Sequence, residues 1–219
     1  MATYYEVHPQ NPQDRIIHQV VKALQNGAVM LYPTDTVYAI GCDLRVKSAI
    51  ERVRQIKQLS NDKPLTFLCS SLSNISDYAI VNDAAYRTIK RLIPGSYTFI
   101  LPATKLVPRL VMSPKRKHTG IRVPNNQVCL SLLEGLGNPI ISTSAYITTE
   151  EEGQAPVTRP VEGSFGKAEL FDSLDNFVDI ILDDTSDPSD QVSTIIDLTE
   201  DDPILIRKGK GWEAVQDWF

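Results

Sequence analysis

The chain has 219 residues, is 42% hydrophobic and carries a formal net charge of -5. That is enough apolar material for one sizeable globular domain, alone or with an appendage, and bulk charge gives no reason to expect strong nucleic-acid binding. No apolar run reaches the ~18 residues that cross a bilayer and the N-terminus lacks a signal-peptide core, so a cytoplasmic monomer is expected.

In chain order, residues 11–27 predict a helix, with Asn11 as its cap, Pro12 in its first turn and Gly27 at its exit. Its Ile16, Ile17, Val20, Val21 and Leu24 form one apolar stripe. Strands follow over 28–32 and 36–42. Residues 46–58 repeat the helical period through Ala49, Ile50, Val53 and Ile56, and 65–69 read as a short buried strand. A helix starts near Asn82 and stops before Pro94. Residues 97–101, 120–123 and 139–142 are further strands, with a helix over 127–136 between the last two. After an acidic, proline-bearing loop at 148–160 come a helix at 165–174 and strands at 178–182, 193–198 and 204–209. Strands that are sometimes adjacent and sometimes separated by helices indicate a mixed sheet and an α+β fold. Residues 11–209 form the expected domain, with 1–10 an N-terminal strand or extension and 210–219 a C-terminal tail.

Cys42, Cys69 and Cys129 are scattered in apolar surroundings, which suits reduced core thiols better than disulfides. His8, His18 and His118 show no metal-ligand spacing, and no metal site is expected.

Several polar clusters sit at predicted strand ends. Pro33-Thr34-Asp35-Thr36 separates two strands without the Asn-Gly or Asp-Gly of a simple reversal, so its hydroxyls and carboxylate are candidates to hold a ligand. The plain alternative is a turn closed by its own side chains. Lys57, at a helix end, either complements the helix dipole or meets a phosphate. Lys115, Arg116, Lys117 and His118 read as a solvated basic loop or as an RNA or phosphate contact. Arg122 stands between Ile121 and Val123 inside a strand, where its planar fork needs a carboxylate, either an internal one or a ligand's. Ser142, Thr143 and Ser144 end one strand, Ser193 and Thr194 begin another, and Arg207 lies in the last; hydroxyls there often only satisfy nearby backbone.

Taken in order, the segments 32–44, Lys57 with 63–65, 94–101, 120–126, 139–145, 193–198 and 206–209 resemble the YrdC/YciO family of threonylcarbamoyl-AMP synthases. Residues 7–24 and 54–62 look most like the YciO branch. The resemblance implies a twisted mixed sheet with flanking helices around a large concave, positively charged cleft. It also implies a reaction: L-threonine and bicarbonate give a carbamate, which attacks the α-phosphate of ATP and releases pyrophosphate. A downstream tRNA-modifying enzyme then uses the threonylcarbamoyl-adenylate. By the same resemblance Thr34, Arg122, Ser142 and Ser193 would hold L-threonine, and Lys57, Ser144 and Arg207 the ATP phosphates. Lys57 is the catalytic candidate, and Mg2+ would arrive with ATP, since the chain offers no evident cage of its own. Thr34, Lys57, Arg122, Ser144, Ser193 and Arg207 are expected to share one cleft.

Three positions depart from the family pattern. Its Lys-x-Arg reads Lys57-Gln58-Leu59 here, a histidine becomes Leu68, and Ser-Ala-Asn becomes Ser144-Ala145-Tyr146. Losing one phosphate-facing cation costs roughly 1.5–3 kcal/mol, or about ten- to a hundred-fold in rate. The alternative function is therefore a YciO-type relative that binds double-stranded RNA or tRNA, or acts on threonylcarbamoyl-adenosine.

Overall fold

The structure is a computed structural model that describes residues 1–59, 64–113, 117–145, 166–200 and 202–219. Its first half runs β1 (Thr3–Glu6), α1 (Asp14–Gln25), β2 (Val29–Tyr32), β3 (Ala39–Asp43), α2 (Lys47–Ile56), β4 (Thr66–Leu68), α3 (Leu72–Tyr78), α4 (Asp83–Leu92) and β5 (Tyr97–Pro102). There follow β6 (His118–Arg122), α5 (Gln127–Leu136), β7 (Ile140–Ser144), α6 (Lys167–Leu174), β8 (Ile180–Asp183), β9 (Thr194–Asp197) and β10 (Ile204–Arg207). Two single 3-10 turns, Trp212–Ala214 and Gln216–Trp218, end the chain.

The ten strands of the described residues join one mixed sheet in the order β1-β8-β2-β3-β7-β4-β6-β5-β9-β10. Its two faces are built by alternation along the strands, broken in β10 between Leu205 and Arg207. Val29, Leu31, Ile40, Phe67, Phe99, Ile121, Ile141 and Ile196 point to one side. There they pack with Ile50 and Val53 of α2, Ile75 of α3, Ile89 of α4 and Leu174 of α6. Met30, Tyr32, Ala39, Leu68, Ile140, Ile180 and Leu182 point to the other side, onto α1 and α5. The stripe Ile17, Val20, Val21 and Leu24 is the buried face of α1, as its spacing requires. The second core stops at Leu68. Beyond it the same sheet face turns polar.

The cysteines are buried free thiols, and among the described residues no helix is long and apolar enough to cross a membrane. Val215, in the C-terminal tail, is buried in the first core.

Some expectations need correction. Asn11 does not cap α1, which begins at Asp14 with Gln13 at the N-cap position and Pro12 upstream of the first turn. The Asn11 and Gln10 amides instead donate to His8 Nδ1, which folds residues 8–11 into their own turn. β3 starts at Ala39, later than residue 36, because the Thr34 hydroxyl donates to the Val37 carbonyl and keeps that stretch in a turn. α3 is a helix that periodicity does not reveal; it is short and buries only Ile75.

Gly41 of β3 sits where three groups converge. A Cβ there would lie 2.8 Å from the Tyr32 ring, 2.9 Å from Ile140 Cγ2 and 3.0 Å from the Ile141 carbonyl oxygen. Gly41→Ala should therefore destabilise the fold by about 1–3 kcal/mol through overpacking. The urea midpoint should fall with the slope unchanged; an unmoved midpoint would mean that β2 and β7 give way freely.

Candidate functional site

The polar part of the second face forms a cavity of about 150 Å³. Thr34 and Thr36 of the β2–β3 loop, Thr66 and Leu68 of β4, Thr98 of β5 and Arg122 of β6 line it. So do Ser142, Thr143 and Ser144 of β7, Ser193 and Ile195 at β9, and Arg207 of β10. Register explains the opening. One row across the sheet reads Met30, Gly41, Ser142, Thr66, Gly120 and Ile100. A Cβ on Gly120 would stand 3.2 Å from Thr66 Oγ1 and 3.5 Å from Thr98 Cγ2. Glycine therefore leaves room for Thr66 and Thr98, which flank it, two residues before Arg122 on the same strand face.

Arg122 is 7% exposed. Its Nη2 donates to Asp35 Oδ1 at 2.5 Å and its Nη1 to Thr36 Oγ1 at 2.8 Å. Its buried Nε has no hydrogen-bond partner among the described residues. The internal carboxylate alternative thus holds for Nη2, while the same guanidinium still lines the cavity. The other Asp35 oxygen accepts from Ser96 Oγ at 3.1 Å. Thr34 follows the turn reading in part. Its hydroxyl donates to the Val37 carbonyl at 2.8 Å and accepts the Thr36 amide at 3.0 Å, and the residue also lines the cavity. Cys129, near the start of α5, donates its thiol to the Pro33 carbonyl at 3.3 Å. Burial pushes that thiol's pKa far up, so it stays protonated as a donor.

Arg207 reaches the cavity through a bulge. Leu205 pairs with Ile196 but Arg207 pairs with Ile195, so Ile206 is the extra residue. In an unbroken register Arg207 would oppose Thr194 and face the opposite core. The guanidinium is anchored by Nε and Nη2 to the Ser193 carbonyl at 3.1 and 2.9 Å, and by Nη2 to Ser193 Oγ at 3.2 Å. Burial, and then the nearby Arg122 charge, hold its pKa below the ordinary arginine value. Ser193 Oγ is 2.9 Å from Thr98 Oγ1, and Ser142 Oγ is 2.7 Å from the Tyr32 hydroxyl, whose pKa burial raises strongly.

Thr34, Arg122, Ser142, Ser144, Ser193 and Arg207 therefore meet in one cavity. Lys57, just past the end of α2, is not among its lining residues; burial lowers its pKa to about 8. Leu59 is half-buried against the first core and Leu68 is buried in the second. Lys115, Arg116 and Tyr146 lie outside the described residues, as does the acidic run at 150–152. Sequence reasoning passed over Thr66 and Thr98. The signal for both is a lone hydroxyl between large apolar neighbours in a strand, at the period that faces Arg122. Among the described residues no group of three or more His, Cys, Asp or Glu is placed to hold a metal ion.

A family model described as "Telomere recombination", covering Sua5, YciO and YrdC proteins, matches residues 22–209. YciO of Escherichia coli K12 is 39% identical over 96% of this chain and 97% of its own. The crystal structure of E. coli YciO superposes with a TM-score of 0.84 over the whole of both chains, at 38% identity. A protein of Vibrio vulnificus named threonylcarbamoyl-AMP synthase is 33% identical over 62% of this chain and 74% of its own length. Sua5 of P. abyssi, solved in complex with L-threonine, has a TM-score of 0.83 over all of this chain and 61% of that one; at 24% identity this likeness concerns the fold. The chain belongs to the Sua5/YciO/YrdC family.

Proposed function

We propose that this chain is an ATP-dependent synthase of L-threonylcarbamoyl-adenylate that holds L-threonine by its carboxylate at Arg122. One observation carries the reading: a buried guanidinium whose Nε has no partner among the described residues, beside a cavity of hydroxyls. A buried N–H of a charged group is costly to leave unmade, and an amino-acid carboxylate completes it. The V. vulnificus relative's name and the L-threonine in the P. abyssi structure support the choice of substrate.

In this reading Thr34, Ser142 and Ser193 surround L-threonine, while Ser144, Arg207 and Lys57 meet the phosphates. The amine takes up bicarbonate with loss of water, and a carbamate oxygen attacks the α-phosphorus as the bond to pyrophosphate breaks. Such a displacement needs alignment and charge neutralisation rather than a covalent nucleophile on the protein. Mg2+ enters as part of the ATP substrate. The product leaves for a downstream tRNA-modifying enzyme, and the protein acts as a cytoplasmic monomer.

A second reading rests on Leu59 and Leu68. Both are packed into apolar cores at positions where synthases of the family carry a cation and a histidine. This favours a YciO-type relative that binds double-stranded RNA or tRNA, or acts on threonylcarbamoyl-adenosine. Supplying ATP, L-threonine and bicarbonate decides between them. Threonine-dependent pyrophosphate release supports the synthase, and its absence from the wild-type protein supports the RNA-directed reading.

Three outcomes follow for variants. Arg122→Lys loses the two-pronged fork and should raise KM for L-threonine about ten- to a hundred-fold, with KM for ATP nearly unchanged. Because Lys57 loses its proton near pH 8 in the free protein, kcat/KM for ATP should fall as pH rises through that value, and Lys57→Arg should remove that limb of the profile. A Lys57→Arg profile that keeps the limb would take Lys57 out of the phosphate site. Leu59→Arg must bring a guanidinium onto the first core, so it should lower stability by about 1–3 kcal/mol without raising pyrophosphate release. A stable Leu59→Arg protein with faster release would show that the segment turns outward to the phosphates.

A further inference from the structure

The segment after β10 reaches the cavity loop through one side chain. Lys210 Nζ donates to the main-chain carbonyl of Asp35 at 2.7 Å. Asp35 is also the residue whose carboxylate holds Arg122. Lys210 lies one residue past the segment that the family model matches.

The backbone that carries Lys210 is fixed on both sides. Its amide donates to the Val192 carbonyl at 2.8 Å, and its own carbonyl accepts from Thr194 Oγ1 at 3.0 Å. Gly209 donates to Thr194 Oγ1 at 3.1 Å, and the Tyr97 hydroxyl donates to the Gly211 carbonyl at 2.9 Å. Contact this close requires glycine at 209, where a Cβ would sit 2.3 Å from the Val192 oxygen. Val215, a few residues on, anchors the segment in the core. The ammonium therefore starts from a rigid point, and only its own side-chain rotors must be ordered to make the bond.

We infer that Lys210 is a positioning residue for L-threonine recognition: by holding the Asp35 carbonyl it fixes the Pro33–Thr36 loop, and through it the carboxylate that orients the Arg122 guanidinium. This rests on L-threonine as the ligand of Arg122. Without Lys210 the loop keeps its internal Thr34 bonds but loses its tie to the β9–β10 side of the cavity. Asp35 then holds Arg122 in a wider range of orientations, and the two-pronged contact with a carboxylate weakens.

The test uses the full chain as wild type, Lys210→Met, Lys210→Arg and Gly209→Ala. Calorimetric titration with L-threonine should show about tenfold weaker binding for Lys210→Met, the effect of one charge-assisted hydrogen bond, and recovery in Lys210→Arg. Gly209→Ala, which lifts the backbone off Val192, should weaken binding similarly. Melting temperature and ATP affinity should stay unchanged in Lys210→Met. Hydrogen exchange without ligand reads the loop directly: the Thr36 amide, bonded to Thr34 Oγ1, should exchange faster in Lys210→Met and not in Lys210→Arg. Lys210→Met with wild-type exchange and wild-type L-threonine affinity overturns the inference. A wild-type protein that binds no L-threonine while the exchange contrast persists supports the loop-holding role of Lys210 and refutes the substrate reading instead.

Discussion

A guanidinium buried within the sheet is the constraint to which the rest of the site is fitted. An uncompensated charge at that depth costs several kcal/mol, so the position of Arg122 obliges some other part of the chain to bring it a carboxylate and an oxygen. The loop between β2 and β3 does this with Asp35 and Thr36, 87 and 86 residues away in sequence. The loop is in turn stapled by Thr34 from within, by Cys129 from α5 and by Ser96 ahead of β5. Arg207 meets a different constraint. It has a like charge nearby, and it turns its donors onto the Ser193 carbonyl.

The cavity exists because one sheet face changes character along its width. Over β8, β2 and β3, and at Ile140 of β7 and Leu68 of β4, that face is apolar and packs with α1 and α5. From Ser142 toward β5 and β9 it presents Thr66, Gly120, Thr98 and Ser193, and among the described residues the core under α1 and α5 does not extend that far. Small and hydroxylated residues cannot drive a helix onto the sheet, since they offer little apolar area to bury. The composition that makes the site polar is also what leaves it open.

Much of this was legible in the sequence. Strands β2 to β10 and helices α1, α2, α4, α5 and α6 are read from apolar runs, helical period and turn signals, while 1–10 reads as either a strand or an extension. Arg122 stands out as a charge between Ile121 and Val123. The family pattern also marked Thr34, Ser142, Ser144, Ser193 and Arg207, all of which line the cavity. The rest depended on relations that local pattern does not encode. Nothing near Arg122 in sequence names Asp35 as its partner. The bulge at Ile206 decides which face Arg207 occupies, yet the residues around it read as an ordinary strand. His8 drew Asn11 away from the helix it was expected to cap. Lys57 follows α2 and is not among the residues that line the cavity, a separation that neither its place at a helix end nor the family pattern encodes.

The strand order sets a timetable for the chain as it is made. Among neighbouring strands only β2–β3, β5–β6 and β9–β10 are consecutive in sequence. The apolar strand Val29–Tyr32 leaves the ribosome early, but its second neighbour, β8, begins at Ile180. At ordinary rates of synthesis that gap lasts on the order of ten seconds. Through that interval one edge of β2 presents unpaired amides and carbonyls flanked by Met30 and Leu31, a surface that other nascent strands readily join. β1 waits longer still, since it precedes β2 and β8 is its partner too. Translation speed across the middle of the message therefore bears on the yield of folded protein, because each pause before β8 lengthens the exposure of an edge that the finished sheet hides.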